Sequence, residues 1–346
     1  MVRMSDLIRE QGREPPTGPP DPVPYQNLAM RSSEVAEGQA DATGLEWYRL
    51  AEDTLQHLSA VIRPGQPSQV ENLTQAVHVV MVENCGRIAA GIVDSLQEGD
   101  QLLTKAISGS KGSPIISNMV HVSILATKIG MGLGYRREDL VRLAHAGLLH
   151  DVGMFMLPES LLTSQRKLSA QDRARIVQHP EFGYKILNEL GAQHSWLAQV
   201  AWQEHERWGG QGYPRGLSGP QIHEYARVIG IVDIFDALMS PRPYKRRLPP
   251  HEAIRELLIA EKASFPSQII KALVQQFSMF PLGTTVRLNS GEVGTVIHLN
   301  PRYPLRPVIQ VSAAPDLVDG ADSRTVDLSK TMLIHIVEVV APDSGG

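Results

Sequence analysis

The sequence predicts a mainly α-helical protein with a small β-rich segment near its C-terminus. Apolar residues recur at three- and four-residue intervals from Leu45 to about Ser108, and again from Pro114 to about Phe280. After Pro281 they alternate with polar residues, as in half-buried strands. We therefore expect a Pro/Gly-rich flexible lead-in, a helical N-terminal region, a helical domain and a β appendage, over residues 1–44, 45–113, 114–280 and 281–346.

The composition narrows the class of protein. Of 346 residues, 42% are hydrophobic and 20% are charged, which is typical of a globular protein. The formal net charge of -4 gives no indication of duplex nucleic-acid binding. A single cysteine excludes an intramolecular disulfide and a Cys-x-x-Cys zinc site. Since no signal peptide or apolar run near 18 residues is evident, we expect a cytoplasmic protein that does not span a membrane.

The N-terminal region begins with an amphipathic stripe. Its members follow helical spacing and are Trp47, Leu50, Ala51, Thr54, Leu55, Leu58 and Val61. A second helical run over about 70–103 carries few chemically distinctive residues. We expect it to have a structural or dimerising role.

Local sequence signals predict further helix ends, a loop and strands. Ser169 followed by Asp172 resembles a capping box at a helix start, and Pro180 is expected to limit the helix that carries His179. Residues 208–220 hold five glycines and two prolines, which indicates a loop whose backbone approaches another group closely. Residues 289–291 are expected to join two strands of a hairpin, with further strands in VIQVSAA and TMLIHIVEVV.

The first chemically suggestive motif is His150-Asp151. The helical stripe through Leu140, Ala144 and Leu148 extends to Asp151 and places its carboxylate on the apolar face. A buried carboxylate without a partner is costly, so a cation or a metal ion is the usual remedy. A plain His-Asp hydrogen bond at the end of the helix is the alternative explanation.

The other polar residues each have an ordinary explanation when taken alone. His121 lies on an apolar helix and reads as a satisfied core histidine, and His179 reads as a surface histidine near a helix end. Glu204, next to His205, would be a solvated charge. Asp233 and Asp236 share a helix face, where a salt bridge to arginine competes with a metal.

Taken together, these residues favour a metal site. The set offers imidazoles and carboxylates without thiols, which suits manganese or iron better than structural zinc; its members are His121, His150, Asp151, His179, His205 and Asp233. An aspartate can bridge two metal ions about 3.5–4 Å apart, and such a pair can generate hydroxide and hold a phosphoryl group. The basic segment over 241–247 would supply local positive charge for a phosphate.

Over about residues 121–280, the chain resembles the HD-GYP family of HD-type metal-dependent phosphohydrolases. The motifs occur in family order. They are His150-Asp151-Val152-Gly153, His179 with Gly183, His205-Glu206-Arg207-Trp208 leading to Gly212-Tyr213-Pro214, Asp233, Asp236-Ala237-Leu238 and Arg242-Pro243-Tyr244-Lys245.

The resemblance implies an all-helical domain that binds two or three divalent ions, often iron or manganese. It implies hydrolysis of cyclic di-GMP to linear pGpG, to GMP or to both, through a metal-bridging hydroxide. By position, the first metal would be held by His121, His150, Asp151 and Asp233, with Asp151 bridging, and the second by His179 and His205. The catalytic residues would be Asp151 and His150. Substrate contacts would come from Tyr213, Pro214, Asp236, Arg242 and Lys245.

Three positions depart from the family pattern. Met154 stands where the family has a lysine near the scissile phosphate, and losing one such electrostatic group can cost about 10²–10³ in rate. Glu204 replaces a histidine, and as a ligand it would add negative charge to the site. Ser117 replaces a glutamate of the third metal site, which favours two metals.

These departures leave two alternatives to a cyclic di-GMP phosphodiesterase. The first is a catalytically weak or silent regulator that binds a cyclic dinucleotide or a regulatory protein partner. The second is a hydrolase of another cyclic or linear nucleotide. A homodimer through the N-terminal helices is a further expectation.

Overall fold

The structure is a computed structural model. It describes residues 43–62, 75–108, 112–163, 166, 168–240, 247–277, 280, 283–298, 300, 306–312, 323–331 and 333–340. The expected lead-in over 1–44 lies almost entirely outside these residues, and so do Arg242 and Lys245. The described part confirms the predicted fold class, with helices followed by a small antiparallel sheet.

The N-terminal region is helical, as predicted. Its elements are α1 (Gly44–Val61), α2 (Gln75–Val79), a π-helical turn (Val80–Asn84), α3 (Cys85–Glu98) and α4 (Gln101–Ser108). The buried face of α1 includes Ala51, Thr54, Leu55 and Leu58 from the predicted stripe. It also includes Tyr48, because the buried face begins one residue later than the spacing indicated.

The central domain is built from helices joined by short turns. Its α-helices are α5 (Pro114–Gly132), α6 (Arg137–Leu149), α7 (Glu159–Leu162), α8 (Ala170–Ile176), α9 (His179–Asn188), α10 (Ser195–Gln203), α11 (Glu224–Met239), α12 (Pro250–Ala260) and α13 (Ser267–Gln276). Single 3₁₀ turns occupy Val152–Met156, Ala192–His194, Gly219–Gln221 and Lys262–Ser264.

Helix α5 is the central helix, and α6 and α11 both pack against it. It is long and apolar enough to cross a membrane, but 78% of its apolar window is buried inside the protein. Its side chains are therefore accounted for by the core of the helical domain.

One local prediction is confirmed and another is wrong. Ser169 caps α8, accepting from the backbone N–H of Asp172 at 3.1 Å, while its own N–H donates to the Asp172 carboxylate at 2.9 Å. Pro180 does not end the helix that carries His179, because that helix, α9, begins at His179. Proline is tolerated in the first turn of a helix, where its missing N–H has no intrahelical partner.

The β appendage is a five-stranded antiparallel sheet. Its strands are β1 (Thr285–Leu288), β2 (Val293–His298), β3 (Val308–Ser312), β4 (Ser323–Asp327) and β5 (Ile336–Val339), in the order β4-β3-β2-β1-β5. The predicted β1–β2 hairpin is confirmed, with Val286 opposite Gly294. Strand β4 escaped prediction because Val326 is the only large apolar residue in SRTVD.

Buried His145 joins the N-terminal region to α6. Its Nε2 lies 2.7 Å from the carbonyl oxygen of Met81, in the π-helical turn, and so donates to it. Burial lowers the pKa of His145 to about 4, although the bond to Met81 opposes this effect. The folded protein thus holds this imidazole neutral over a range in which the unfolded chain is protonated.

This arrangement predicts a loss of stability in acid. The pKa of His145 is about 6.5 in the unfolded chain and about 4 in the folded chain, so stability falls as the pH drops through this window. The expected loss is about 3 kcal/mol. In His145→Gln, which keeps a donor for Met81 but does not titrate, the loss should be smaller by that amount. Urea unfolding at pH 7, 6, 5 and 4 measures both, and identical pH profiles would contradict the prediction.

Candidate metal centre

Four buried side chains converge in the central domain: Asp151, His179, Glu204 and His205. One nitrogen or carboxylate oxygen from each lies within 4.8 Å of the others. We call this group the four-residue cluster. It joins the turn after α6, the start of α9 and the segment that follows α10.

Gly153 brings the first two members together. A Cβ atom on Gly153 would clash with the carbonyl oxygen of His179 and the amide of Gly183. Without that atom, the turn carrying Asp151 approaches the first turn of α9 directly. Asp151 Oδ1 consequently lies 3.1 Å from His179 Nε2.

Backbone carbonyls orient two of the imidazoles. The Nδ1 of His150 lies 2.8 Å from the carbonyl of Gly147, and the Nδ1 of His179 lies 2.7 Å from that of Ile176. Each Nδ1–H donates to its carbonyl, so each Nε2 faces the carboxylates. Metal-binding histidines are held in this way, because the second ring nitrogen fixes the tautomer.

Glu204 has an environment that a metal ion would complete. Both of its carboxylate oxygens are buried and make no hydrogen bond to the described residues, and the same is true of His150 Nε2. Glu204 Oε2 lies 3.6 Å from His150 Nε2, and Oε1 lies 3.8 Å from His179 Nε2. Buried polar groups of this kind are costly unless something binds them. These nitrogen and oxygen donors suit a hard or borderline divalent cation.

Electrostatics also favour a cation here. Burial raises the pKa of Glu204, and it raises that of neighbouring Asp233 to about 7. Burial lowers the pKa of His150, but Glu204 and Asp151 outweigh that effect and raise it to about 8. Asp151 and Glu204 likewise overcome burial and raise the pKa of His179 to about 10. The clustered carboxylates therefore favour positive charge on the groups that face them.

The carboxylates of the four-residue cluster are paired with histidines. Within the described residues, the ion pairs of Asp151 and Glu204 are made with histidines, at 3.1–3.9 Å. Burial and the neighbouring His179 lower the pKa of His205 well below its usual value, so this imidazole is neutral and keeps a lone pair. A divalent cation would compensate the two carboxylates in place of the protons that they favour on His150 and His179.

His121 belongs to a separate hydrogen-bonded series. Its Nδ1 is 3.0 Å from Asp236 Oδ1 and its Nε2 is 2.8 Å from the hydroxyl of Tyr48. The amide of Asn118 donates to Asp236 at 3.0 Å and to Asp233 at 3.1 Å. We call Tyr48, His121, Asp236, Asn118 and Asp233 the Tyr48 series. Both ring nitrogens of His121 are thus bonded to protein side chains.

The glycine-rich loop covers one side of the site. Tyr213 stacks on His205 with ring centroids 4.7 Å apart and 20° between the ring planes, and Pro214 follows it. The close backbone approach predicted for this loop occurs at Gly212, where a Cβ would clash with the carbonyl of His205. Buried Glu206 holds the loop, accepting from the amides of Arg215 at 2.8 Å and Leu217 at 2.9 Å.

Met154 points into a separate apolar cluster. Its side chain is 1% exposed and packs in a group with Leu157, Leu161, Leu168 and Ile176. The residue that stands in place of the family's lysine is therefore a packing residue, and it places no charge near the carboxylates.

Several ordinary explanations considered for single residues are wrong. Glu204 is not a solvated charge and His179 is not a surface histidine, because neither side chain is exposed to solvent. Asp233 and Asp236 share the amide of Asn118, and among the described residues neither forms a salt bridge to arginine.

Sequence reasoning missed the roles of Tyr48, Asn118 and Glu206. Asn118 offered a signal, since it is a polar residue three positions before His121 on an apolar helix. Tyr48 offered none, because it lies 73 residues from the histidine that it contacts.

Comparison with known proteins shows which families and proteins the chain is similar to. Residues 101–265 match the family model described as HD domain, and residues 285–344 match a KOW domain associated with HD domain. A cyclic di-GMP phosphodiesterase of Pseudomonas aeruginosa is 35% identical over 223 residues, covering 64% of this chain and 53% of that protein. A 3'3'-cGAMP-specific phosphodiesterase of Vibrio cholerae is 36% identical over 151 residues, covering 43% and 28%. The chain thus spans about half the length, or less, of these curated relatives.

The fold has a counterpart among solved structures. An HDG"Y"P protein from Bdellovibrio bacteriovorus superposes with a TM-score of 0.55, at 20% sequence identity. The match covers 72% of this chain and 78% of that one. At this identity the likeness speaks for the fold alone.

The loop contacts of Glu206 generate a prediction about stability. Glu206→Ala leaves two backbone amides without their acceptor, at about 1–3 kcal/mol each when they stay buried. We expect the free energy of unfolding to fall by about 2–4 kcal/mol. Exposed Glu189 provides the control, and Glu189→Ala should change it by less than about 0.5 kcal/mol. Urea denaturation of both variants tests this, and equal stabilities would contradict it.

Proposed function

Through residues 101–265 this chain belongs to the HD-domain family, and we propose that it is a metal-dependent phosphodiesterase that hydrolyses cyclic di-GMP. The observation that carries the proposal is the four-residue cluster, where buried carboxylates and imidazoles converge around Glu204 oxygens that have no hydrogen bond. The whole cluster falls within the matched residues.

We propose that the site holds two divalent ions, iron or manganese. His150, Asp151 and Asp233 would hold one ion, and His179, Glu204 and His205 the other, with Asp151 shared between them. His121 is left out of this ligand set, since Asp236 and Tyr48 occupy its ring nitrogens. The backbone bonds of His150 and His179 support the assignment, because they direct both Nε2 atoms toward the carboxylates.

When bound, such ions would hold the scissile phosphodiester and lower the pKa of the attacking water. The protein's own residues would orient and enclose the substrate. The Tyr213 ring on His205, followed by Pro214, would form one wall, held in place by Glu206. Arg242 and Lys245 would contact phosphate. The products would be linear pGpG, GMP or both.

The substrate assignment draws on the relatives. One is named for cyclic di-GMP and another for 3'3'-cGAMP, and both substrates are cyclic dinucleotides with two phosphodiester linkages. We favour cyclic di-GMP, the substrate named for the relative that matches the longer part of this chain. Turnover of the two compounds by the same preparation would separate the assignments.

The direct test is turnover of cyclic di-GMP by the full chain, purified without oxygen and supplied with Mn²⁺ or Fe²⁺. Asp151→Ala should lower the rate by at least about 10²-fold and reduce bound metal, because it removes the shared carboxylate. Exposed Glu181 provides a control, and Glu181→Ala should retain wild-type values. Chromatography of the products and elemental analysis of the protein measure the two effects.

The outcomes separate the parts of the proposal. Wild-type metal content in Asp151→Ala would refute the shared-carboxylate assignment. Bound metal without any product from cyclic di-GMP would refute the substrate.

Met154 favours a second candidate function. A catalytically weak or silent domain would bind a cyclic dinucleotide and signal by conformation. Burial of Met154 in an apolar cluster supports this candidate, since no cation occupies the position where the family has its lysine.

The variant Met154→Lys distinguishes the two candidates. Placing an ammonium group in the apolar cluster should lower the free energy of unfolding by about 2–4 kcal/mol, whereas Met154→Leu should cost less than about 1.5 kcal/mol. For a working phosphodiesterase we expect the turnover of Met154→Lys to stay within about tenfold of wild type. A gain of about 10²–10³ in kcat would instead favour the silent regulator.

A further inference from the structure

Tyr48 lies on α1, outside residues 101–265, yet its hydroxyl reaches the interior of the central domain. We propose that Tyr48 is a positioning residue of the metal centre, which acts through the Tyr48 series on the carboxylate of Asp233. The inference rests on the proposed function for the identity of Asp233 as a ligand. The geometric support for the role of Tyr48 comes from the hydrogen bonds of the Tyr48 series alone.

As part of this proposal we assign His121 the Nδ1–H tautomer. The carboxylate of Asp236 accepts, so His121 Nδ1 carries a proton and donates to it at 3.0 Å. In this tautomer, Nε2 holds a lone pair and accepts from the Tyr48 hydroxyl at 2.8 Å. The hydroxyl thereby fixes both the tautomer and the orientation of the ring.

Asn118 links the position of the Asp236 carboxylate to that of the Asp233 carboxylate. Its amide nitrogen donates to one oxygen of Asp236 at 3.0 Å and to one oxygen of Asp233 at 3.1 Å. One amide group therefore holds two carboxylates that share a face of α11. A change in the position of Asp236 alters the geometry available to Asp233.

Helix α1 is packed firmly enough to hold Tyr48 in place. Its Trp47 ring lies against Gly91 of α3 so closely that a Cβ on Gly91 would clash with the ring. Ala51, Leu55 and Leu58 bury the rest of the same face. The Tyr48 ring itself is 1% exposed, so its hydroxyl has a fixed position relative to His121.

The test compares two tyrosines that lose the same atom. Tyr48→Phe removes the hydroxyl that bonds His121, and Tyr225→Phe removes one that bonds Asp139, at 3.2 Å, outside the Tyr48 series. We expect Tyr48→Phe to weaken Mn²⁺ binding about tenfold, the lower end of the range for residues that orient metal ligands. Tyr225→Phe should change the Kd for Mn²⁺ by less than about twofold.

Two further measurements separate positioning from a general loss of stability. In the background of Asn118→Ala, which breaks the series nearer to Asp233, Tyr48→Phe should no longer change the Kd for Mn²⁺. In the wild-type chain, ¹⁵N NMR of the histidine rings should show His121 as the Nδ1–H tautomer and unmoved by diamagnetic Zn²⁺. The NMR measurement on the wild type needs no variant to fold.

The possible results are distinct. Equal Mn²⁺ affinities for the two tyrosine variants, or a Zn²⁺-dependent shift of the His121 nitrogens in the wild type, would overturn the role of Tyr48 while leaving the metal centre intact. Additive effects of Tyr48→Phe and Asn118→Ala would also overturn it. No bound Mn²⁺ in the wild type would refute the metal centre and the Tyr48 proposal together.

Discussion

The central constraint in this protein is the burial of several carboxylates close together inside a helical domain. Asp151, Glu204 and Asp233 are each less than 5% exposed, and the ion pairs described for the first two are with histidines. Buried charge of one sign is unfavourable unless a counter-charge compensates it. The raised pKa values of His150 and His179 express the same imbalance. In the proposed function, divalent cations supply that counter-charge.

Several parts of the fold position these carboxylates and the imidazoles beside them. Apolar α5 gives the domain its core, and glycine at position 153 lets the Asp151 turn approach α9. Backbone carbonyls then set the direction of two imidazoles. The loop that follows His205 closes one side through Tyr213. The N-terminal helix α1 reaches His121 through the Tyr48 hydroxyl, so a region outside the matched residues contributes a buried polar contact to the central domain.

The departures from the family pattern have different physical meanings. Glu204 lies within the four-residue cluster and brings a negative charge where a histidine would bring none, so it changes the charge that a metal must balance. Met154 contributes to apolar packing and takes no part in that balance. A lysine at this position would have to leave the apolar cluster or bury its charge there. The first departure modifies the proposed ligand set, and the second places an apolar side chain where the family pattern has a lysine.

The sequence by itself determined the mainly helical architecture, the β1–β2 hairpin, the cap at Ser169 and most residues of the candidate site. These features follow from periodicity, turn chemistry and motif spacing, which are local along the chain. Only the tertiary structure decided that His121 bonds to Tyr48, that Met154 faces an apolar cluster, and that Glu204 and His179 are fully enclosed. Those outcomes depend on which surfaces meet when distant helices pack. A contact across 73 residues leaves no trace in the spacing of either partner.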